Sequence, residues 1–555
     1  MLVEGSGKTT LLNTLSGQIP ADHGTVILND NIMTKAARRS IGYCIQEDIF
    51  LANLTLYETL YFTAMLRIPE NVPYSEKLAK IDETVEALNL ADCLKTKIGD
   101  FLDRGLSGGE KKRANIACEL LTDPDILLVD EPTTGLDSST ALLMMQQLTS
   151  YANVHDKIVI ITIHQPSSQM FRTLNKLLLL VHGQTAYFGN AQDAVRYFQP
   201  LNIPQRQMYN PADYLMELLT ADDRLIDQIH LLASNKRQEE AFMTKQNHSH
   251  HQQTIISKSN EHSDGFSKQE VVFHDNLDNN SHGKIWPTTF WTQYYLLTWR
   301  NFKQVKGRLF RVPLTLPVLW TALILGMMYF HISKELDTLR DRMGMLVWVF
   351  FFSVSEEREV VTKERRVGAY RLSAYYLAKI SSELPLLIVM PIVFYSISYW
   401  MTMLGGVPEF FIFIGVNIMH CLCTQGVGHV FGALIFDAST AVTSSQTFNI
   451  CAFLAAGMFT THFPPWLTWF KYLSFMHYPY AAMVTSILSD VTPILCNNTA
   501  ANTFEVCKTS EYLTGKDVLT SYGVELPIYC YLATLTIIIF LLKVFGYLAF
   551  KLKKA

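Results

Sequence analysis

The chain is short of charge. Of its 555 residues only 17% are Asp, Glu, Lys or Arg, below the ~25% typical of soluble domains. The deficit is local and falls almost entirely after Arg311. A basic surplus is missing too. The 46 Lys and Arg face 50 Asp and Glu, a formal net charge of −4, so the balance gives no reason to expect nucleic acid as a partner. Cysteine is sparse at nine, and Cys44, Cys93 and Cys118 lack any pair spacing that suggests a metal, so they read as reduced packing residues. No secretory leader pattern stands at the N-terminus. What remains is apolar bulk, 49% hydrophobic and 12% aromatic, in a chain long enough for more than one domain.

Two stretches in the charged half organise the rest. Leu106-Ser107-Gly108-Gly109-Glu110 is followed by Ile126-Leu127-Leu128-Val129-Asp130-Glu131. Four apolar residues running into two acids read as a buried parallel strand that ends in carboxylates. Ligand sites of α/β sheets lie at that end of the strands. Asp130 offers oxygen to a hard cation such as Mg²⁺. Glu131 can orient and deprotonate a water. Ser107, Gly108 and Gly109 are small enough for backbone N–H groups to approach a phosphate. Together they predict a site of ATP hydrolysis.

Upstream, Gly5-Ser6-Gly7-Lys8-Thr9-Thr10 looks like the end of a phosphate-binding loop opening a helix. Such a loop needs glycines for close backbone approach, a Lys on the β/γ-phosphates and a hydroxyl on Mg²⁺, roles that Lys8 and Thr9 fill. The pattern asks for glycine at position 2, where Leu2 stands, and for a preceding strand that the sequence does not contain. The expectation is a nucleotide-binding domain lacking its N-terminal strands. Gln46 is either a surface amide or a group that reaches the metal and senses the γ-phosphate. Ile158-Val159-Ile160-Ile161-Thr162-Ile163 reads as a second buried strand, ending in His164. His164 is either a packing residue or a hydrogen-bond partner of the γ-phosphate and its water.

Taken together and in order, Gly-Lys-Thr, Gln46, Leu-Ser-Gly-Gly-Glu, Asp130-Glu131, Gly135-Leu136-Asp137 and His164 resemble the nucleotide-binding domain of ABC transporters. Gly105-Leu-Ser-Gly-Gly-Glu-Lys-Lys-Arg113, Asp130-Glu-Pro-Thr-Thr-Gly-Leu-Asp-Ser, His164-Gln-Pro-Ser and Asn210-Pro-Ala-Asp213-Tyr are similar to the White (G) subfamily. The resemblance implies an ATPase that uses ATP and Mg²⁺. It makes Lys8 and Thr9 the Walker A pair, Gln46 the Q-loop residue and Ser107-Gly108-Gly109 the ABC signature. It makes Asp130 the Walker B carboxylate, Glu131 the catalytic base, Asp137 the D-loop residue and His164 the switch histidine. It also implies a head-to-tail dimer, in which each ATP lies between one chain's P-loop and the other chain's signature.

After a polar linker at 221–288, with the run His248-Ser249-His250-His251, the sequence turns apolar. Trp291 to Leu309 mixes aromatics with Arg300, Lys303, Lys306 and Arg308 and reads as an amphipathic helix at a membrane surface. Runs at 312–329, 384–404, 408–436, 441–461 and 526–550 are long enough to cross the ~30 Å of hydrocarbon. Basic clusters at 300–311, at 363–379 and at Lys551, Lys553 and Lys554 put the C-terminus on the cytosolic side, with the ATPase. Residues 462–525 carry the sequon Asn497-Asn498-Thr499, with Cys496 and Cys507, and predict an extracellular loop with a disulfide and a sugar on Asn497. That topology requires one more span, and Met345 to Val354 is about half the ~20 residues needed. The resemblance supplies a full helix there, between Arg342-Met343-Gly344 and Glu357-Arg358.

The expected architecture is therefore an α/β P-loop nucleotide-binding domain (an ABC ATPase) at 1–220, the linker at 221–288, and an all-α polytopic transmembrane domain at 289–555. That domain has six helices, the second one short. The function the resemblance implies is ATP-driven export of a hydrophobic or lipid-like small molecule by a half-transporter at the plasma membrane. The half-transporter is paired with an identical or paralogous chain and surrounded by membrane lipid. Phe448, Phe453, Met458 and Phe459 would line the central cavity or act as its gate, or else pack against lipid and neighbouring helices. The missing loop glycine and short second span leave an alternative, a transport-inactive subunit that regulates a full-length paralogue. The spans after Val312 exclude a soluble ABC ATPase.

Overall fold

The computed structural model describes residues 6–28, 31–33, 37–99, 105–201, 210–219, 286–309, 312–331, 369–435, 437–457, 469–488, 494–495 and 512–552. It also describes single positions at 226, 228, 229, 231, 233, 234 and 466. The chain divides into two compact units, Met1–Thr288 and Thr289–Ala555.

In the first unit, helix α1 (Lys8–Leu15) precedes a short hairpin, β1 (Ile27–Leu28) with β2 (Asn31–Ile32). Strand β3 (Ile41–Cys44) leads to helices α2 (Leu56–Arg67), α3 (Tyr74–Ala87) and α4 (Gly108–Leu120). Strand β4 (Ile126–Val129), helix α5 (Ser138–Val154) and strand β5 (Ile158–Ile161) follow. The three strands are parallel in the order β3-β4-β5, with Ile126 paired to both Ile41 and Ile158. Alternation along β4 builds two layers. Leu127 and Val129 pack with Leu56, Leu60, Ala117 and Leu121 from α2 and the α4 region. Leu128 points the other way, onto Leu12 of α1 and Tyr43. All three β4 residues are at most 2% exposed, so the strand is the sandwiched centre that its apolar run predicts.

Strand β5 differs from expectation. It is shorter than the apolar run and, among the described residues, lies at the end of the sheet. Val159 and Ile161 pack inward, while Ile158 and Ile160 are 58% and 38% exposed. A run of isoleucines does not say how many of its faces are covered.

Helix α6 (Ser168–Arg172) is followed by the antiparallel pair β6 (Lys176–Val181) and β7 (Gln184–Asn190). The turn His182-Gly183 has positive φ at both residues, which matches the right-handed twist of a hairpin. Helices α7 (Ala194–Tyr197) and α8 (Pro211–Leu219) complete a separate apolar cluster that includes Leu179, Phe198 and Leu215.

The second unit is helical. It contains α9 (Phe290–Leu309), α10 (Val312–Met328), α11 (Leu372–Thr402), α12 (Val407–Leu434) and α13 (Ala438–Leu454). After these come α14 (Phe470–Leu473), α15 (His477–Leu488), the pair β8 (Ile494–Leu495) with β9 (Tyr512–Leu513), α16 (Gly515–Ser521) and α17 (Ile528–Leu552). Among the described residues, α11, α12 and α17 are long and apolar enough to cross a membrane, and α10 contributes the shorter apolar stretch Leu316–Met328. Their outer faces carry exposed bulk such as Trp320, Phe411 and Phe540, at 62%, 66% and 66%. So much exposed apolar surface belongs in lipid.

Helix α9 is inverted relative to a soluble helix. Gln293, Arg300, Asn301 and Gln304 are buried at 5% or less, while Trp291 and Tyr295 are 71% and 67% exposed. Gln293 and its neighbour Tyr294 are bonded within the unit. The Arg371 N–H donates to Gln293 Oε1 at 2.9 Å, and Tyr294 and Ser381 share a hydroxyl hydrogen bond of 2.9 Å.

Two further features differ from the sequence reading. Of the run expected to span 441–461, the described part is helical to Leu454 and turns at Gly457 with φ 88°, and 458–461 lie outside the described residues. Within 462–525, α15 is not a loop. Tyr480, Ala481, Ala482, Met483 and Val484 are at most 1% exposed in the core of the unit. The expected second span at 345–354 lies outside the described residues.

Candidate functional site

The site grows from the carboxyl end of β4. The Asp130 N–H donates to the Cys44 carbonyl, continuing the ladder one residue past the strand. Glu131 then turns left-handed at φ 48°, a backbone state that is uncommon for a side-chain-bearing residue. Thr162, just beyond β5, holds that turn. Its hydroxyl donates to Asp130 Oδ1 at 2.5 Å and accepts the Glu131 N–H at 2.8 Å.

With its backbone fixed, Glu131 gathers the neighbouring groups. Lys8 Nζ lies 3.4 Å from Oε1. Gln46 Nε2 donates to Oε2 at 3.0 Å, and the Thr134 hydroxyl donates to the same oxygen at 3.1 Å. Four chain segments far apart in sequence thus meet at one carboxylate pair. Lys8, Gln46, Asp130 and Glu131 were singled out by sequence. Thr162 and Thr134 were not, because a threonine in or after a strand carries no signal of its own.

Lys8 enters from the start of α1. Gly7 caps this helix at φ 92°, a conformation that favours glycine, and no side chain caps it. Thr9 and Thr10 are exposed on the first turn, and the buried Ser6 Oγ has no hydrogen-bond partner among the described residues. An uncapped helix start preceded by an unsatisfied hydroxyl suits a phosphate group. Asp130, the Gln46 amide oxygen and Thr9 supply the oxygen donors that Mg²⁺ prefers, so the residues present fit both groups. Gly5 lies outside the described residues. His164 is half-buried and makes no hydrogen bond among the described residues.

Ser107, Gly108 and Gly109 form the start of α4. The Ser107 hydroxyl accepts from the Glu110 N–H at 3.3 Å, while Glu110 Oε2 accepts from the Ser107 N–H at 2.8 Å, a reciprocal cap. The Ser107 N–H, with added hydrogen bonding from its hydroxyl, holds the Glu110 carboxyl below the usual carboxylate range. A Cβ on Gly108 would meet nothing within 4 Å, so this glycine faces open space. On Gly109 it would come within 3.0 Å of Thr140 Cγ2, which sets the α4 start against the α5 start. Asp137 caps α5. The Ser139 hydroxyl first, then Thr140, donate to it and hold its carboxyl well below the usual range.

In the second unit, Phe448 on α13 is 45% exposed, with its ring centroid 5.6 Å from Phe431 and 6.3 Å from Phe475. Phe453 packs against the buried core. Met458, Phe459, Cys496, Asn497 and Cys507 lie outside the described residues.

Comparison with known proteins agrees with this geometry. An ABC transporter family model matches residues 3–134, and two ABC-2 type transporter models match 292–488 and 164–304. ABC transporter G family member 21 of Arabidopsis thaliana is 35% identical over 86% of this chain and 74% of its own. The chain belongs to the G family of ABC transporters. Protein white of Drosophila melanogaster is 30% identical over 99% of this G-family chain and 80% of its own. The broad substrate specificity ATP-binding cassette transporter ABCG2 of Bos taurus is 28% identical over 94% and 82%. The G-family chain is thus an integral membrane protein, an ABC ATPase followed by a helical transmembrane region. It binds ATP and couples ATP hydrolysis to transport across the membrane.

Proposed function

We propose that the chain is one half of a dimeric exporter of hydrophobic, lipid-like molecules, with its ATPase and C-terminus in the cytosol of a plasma-membrane transporter. The observation that carries this is the convergence of Lys8, Gln46 and Thr134 on Glu131, beside Asp130.

In this scheme the α1 start and Lys8 bind the β/γ-phosphates of ATP, with Ser6, Gly7 and Thr10 beside them. Thr9, Gln46 and Asp130 hold Mg²⁺, which when bound neutralises phosphate charge. Glu131 orients the attacking water and takes its proton, and His164 holds the γ-phosphate side of that water. Ser107, Gly108 and Gly109 offer their donors to the second copy's ATP, with Asp137 at the seam between copies. The exposed start of α4 and the open space at Gly108 support that role. The inverted face of α9, with its aromatics outward, supports a position at the membrane surface, and Lys303 and Arg300 beside it favour the cytosolic side.

The test is ATP-dependent uptake of a fluorescent sterol or phospholipid into inside-out vesicles, alongside ATPase turnover of the purified dimer. Glu131→Gln should lower turnover about 10²-fold or more. Normal turnover in that variant would remove Glu131 from its role. A dimer without turnover would instead favour a regulatory subunit.

A further inference from the structure

The loop that follows β3 is gripped by the helix that presents the signature residues. Lys112 and Asn115 lie three residues apart on α4 and so share one face. Lys112 Nζ donates to the Gln46 carbonyl at 2.5 Å and pairs with Asp48 Oδ2 at 3.3 Å. Asn115 Nδ2 donates to the Ile45 carbonyl at 3.3 Å and to Asp48 Oδ1 at 3.1 Å. Asn115 is 2% exposed, and the Lys112 and Asp48 side chains are 14% and 16% exposed, so these contacts are largely shielded from water. The loop is held from both sides of Gln46, and it does not slide along the helix freely.

The same loop touches the hydrolytic carboxylate, because the Gln46 side chain donates to Glu131 at 3.0 Å. The same helix begins at the Ser107–Glu110 cap, with Gly108 facing open space. An unbroken set of contacts therefore runs from Glu131 through Gln46, Lys112 and Asp48 to the exposed start of α4. A shift of the Gln46 backbone on nucleotide binding would carry Lys112 along through these contacts. A flexible loop would absorb that shift, and a clamped one transmits it.

We propose that Lys112, with Asp48 and Asn115, is a positioning element that makes the Gln46 loop and the signature helix move as one body. Occupancy of this chain's own ATP site then sets how Ser107 and Gly108 are presented to the ATP of the second copy. The inference rests on the dimeric arrangement under Proposed function. Its consequence is positive cooperativity between the two sites, with a Hill coefficient bounded by the number of sites.

The experiment is MgATP titration of ATPase turnover in the intact dimer reconstituted in nanodiscs. The wild-type chain should give a Hill coefficient above 1. Lys112→Met keeps the aliphatic stem and removes the donor. It should bring the coefficient to 1 and lower kcat about tenfold, while the ATP concentration at half-saturation changes by less than about threefold. Lys112→Arg, which keeps charge and donors, should restore cooperativity. Asp48→Asn, a milder change at a partly exposed carboxylate, should lower the coefficient in the same direction and keeps the test alive if Lys112→Met misfolds. A wild-type coefficient of 1, or a coefficient unchanged in both variants, overturns the proposal. Loss of hydrolysis in Glu131→Gln with cooperativity intact in Lys112→Met would spare the site assignment and remove only the coupling.

Discussion

The Thr162 hydroxyl donates to the Asp130 carboxylate at 2.5 Å, and through it one side chain fixes two acids. Its lone pair takes the Glu131 N–H at 2.8 Å, so the hydroxyl is bonded as donor and as acceptor. Thr162 is 7% exposed, and water is poorly placed to substitute for it.

Thr162→Val keeps the shape and removes the hydroxyl. A hydrogen bond to a charged group contributes about 1.5–3 kcal/mol, and about 1.4 kcal/mol is a factor of ten in rate. The expected loss in kcat is therefore about 10- to 100-fold. Thr162→Ser should recover most of it. Steady-state ATPase assays over a range of Mg²⁺ concentrations check this, and equal rates for the valine and serine variants would contradict it.

Lys8 and Glu131 form an ion pair at 3.4 Å that a nucleotide must open before Lys8 can meet phosphate. Both side chains are mostly buried, at 9% and 17% exposure, yet still reached by solvent. Glu131→Gln removes that competition and should tighten ATP binding while lowering turnover about 10²-fold or more. Fluorescent-nucleotide titration reads the affinity. Weaker binding in the variant would mean that the pair does not compete with ATP.

Arg67 and Glu119 join α2 to α4 by two parallel hydrogen bonds of 2.9 Å, with side chains 13% and 3% exposed. Removing one partner strands a buried charge, at a cost of about 3–5 kcal/mol. Glu119→Ala should lower the melting temperature and yield sharply. Arg67→Met combined with Glu119→Leu should be far milder, because no charge is left alone. A double-mutant cycle on thermal unfolding measures the difference.

The α4 cap carries a pH dependence of definite sign. Glu110 is held below the usual carboxylate range by the Ser107 N–H. Because its folded pKa is depressed, the unfolded chain takes the proton more readily. The cap contributes in full above the unfolded value of about 4.3 and fades as pH falls through the lower folded value. Glu110→Gln should flatten the acid limb of the stability profile below about pH 4.3 and leave the neutral region's slope unchanged. Thermal melts of wild type and variant from acid to neutral pH compare the two.

The sequence makes β4 and α4 legible for physical reasons. An apolar run closed by two acids has few other solutions, and Ser-x-x-Glu ahead of a helix is a local cap that forms wherever the helix does. The pairing of Lys8 and Gln46 with Glu131 was suggested only by motif order. The Lys112 clamp was invisible, since a lysine among Lys111, Lys112 and Arg113 looks like a solvated face. Helix α15 escaped for another reason. Its twelve residues are shorter than a span, so length hid a segment that packing places at the centre of the core. Ile158 and Ile160 misled in the opposite direction, because β-branched residues report strand propensity and not burial.

Glu383 on α11 is the centre of a charged cluster inside the membrane unit. Lys379 Nζ lies 3.0 Å away, His429 Nε2 3.3 Å, and Gln425 Nε2 donates at 2.5 Å. Lys543 of α17 donates to the other end of Gln425, and the Tyr376 hydroxyl donates to the Lys543 carbonyl at 2.9 Å. Three helices, α11, α12 and α17, are thereby tied at one carboxylate. Ionisable groups in such a setting are tolerated only when they face one another. Removing the acid leaves Lys379 and Lys543 without the carboxylate that offsets their charge, at a cost of about 3–5 kcal/mol. Glu383→Ala should therefore cut the fraction of folded, detergent-extractable protein severely. Glu383→Gln, which keeps hydrogen bonding but not charge, should fall between alanine and wild type. Size-exclusion chromatography after extraction reads the outcome. Wild-type recovery of the alanine variant would mean that the helices pack through their apolar faces alone and that the cluster ties nothing.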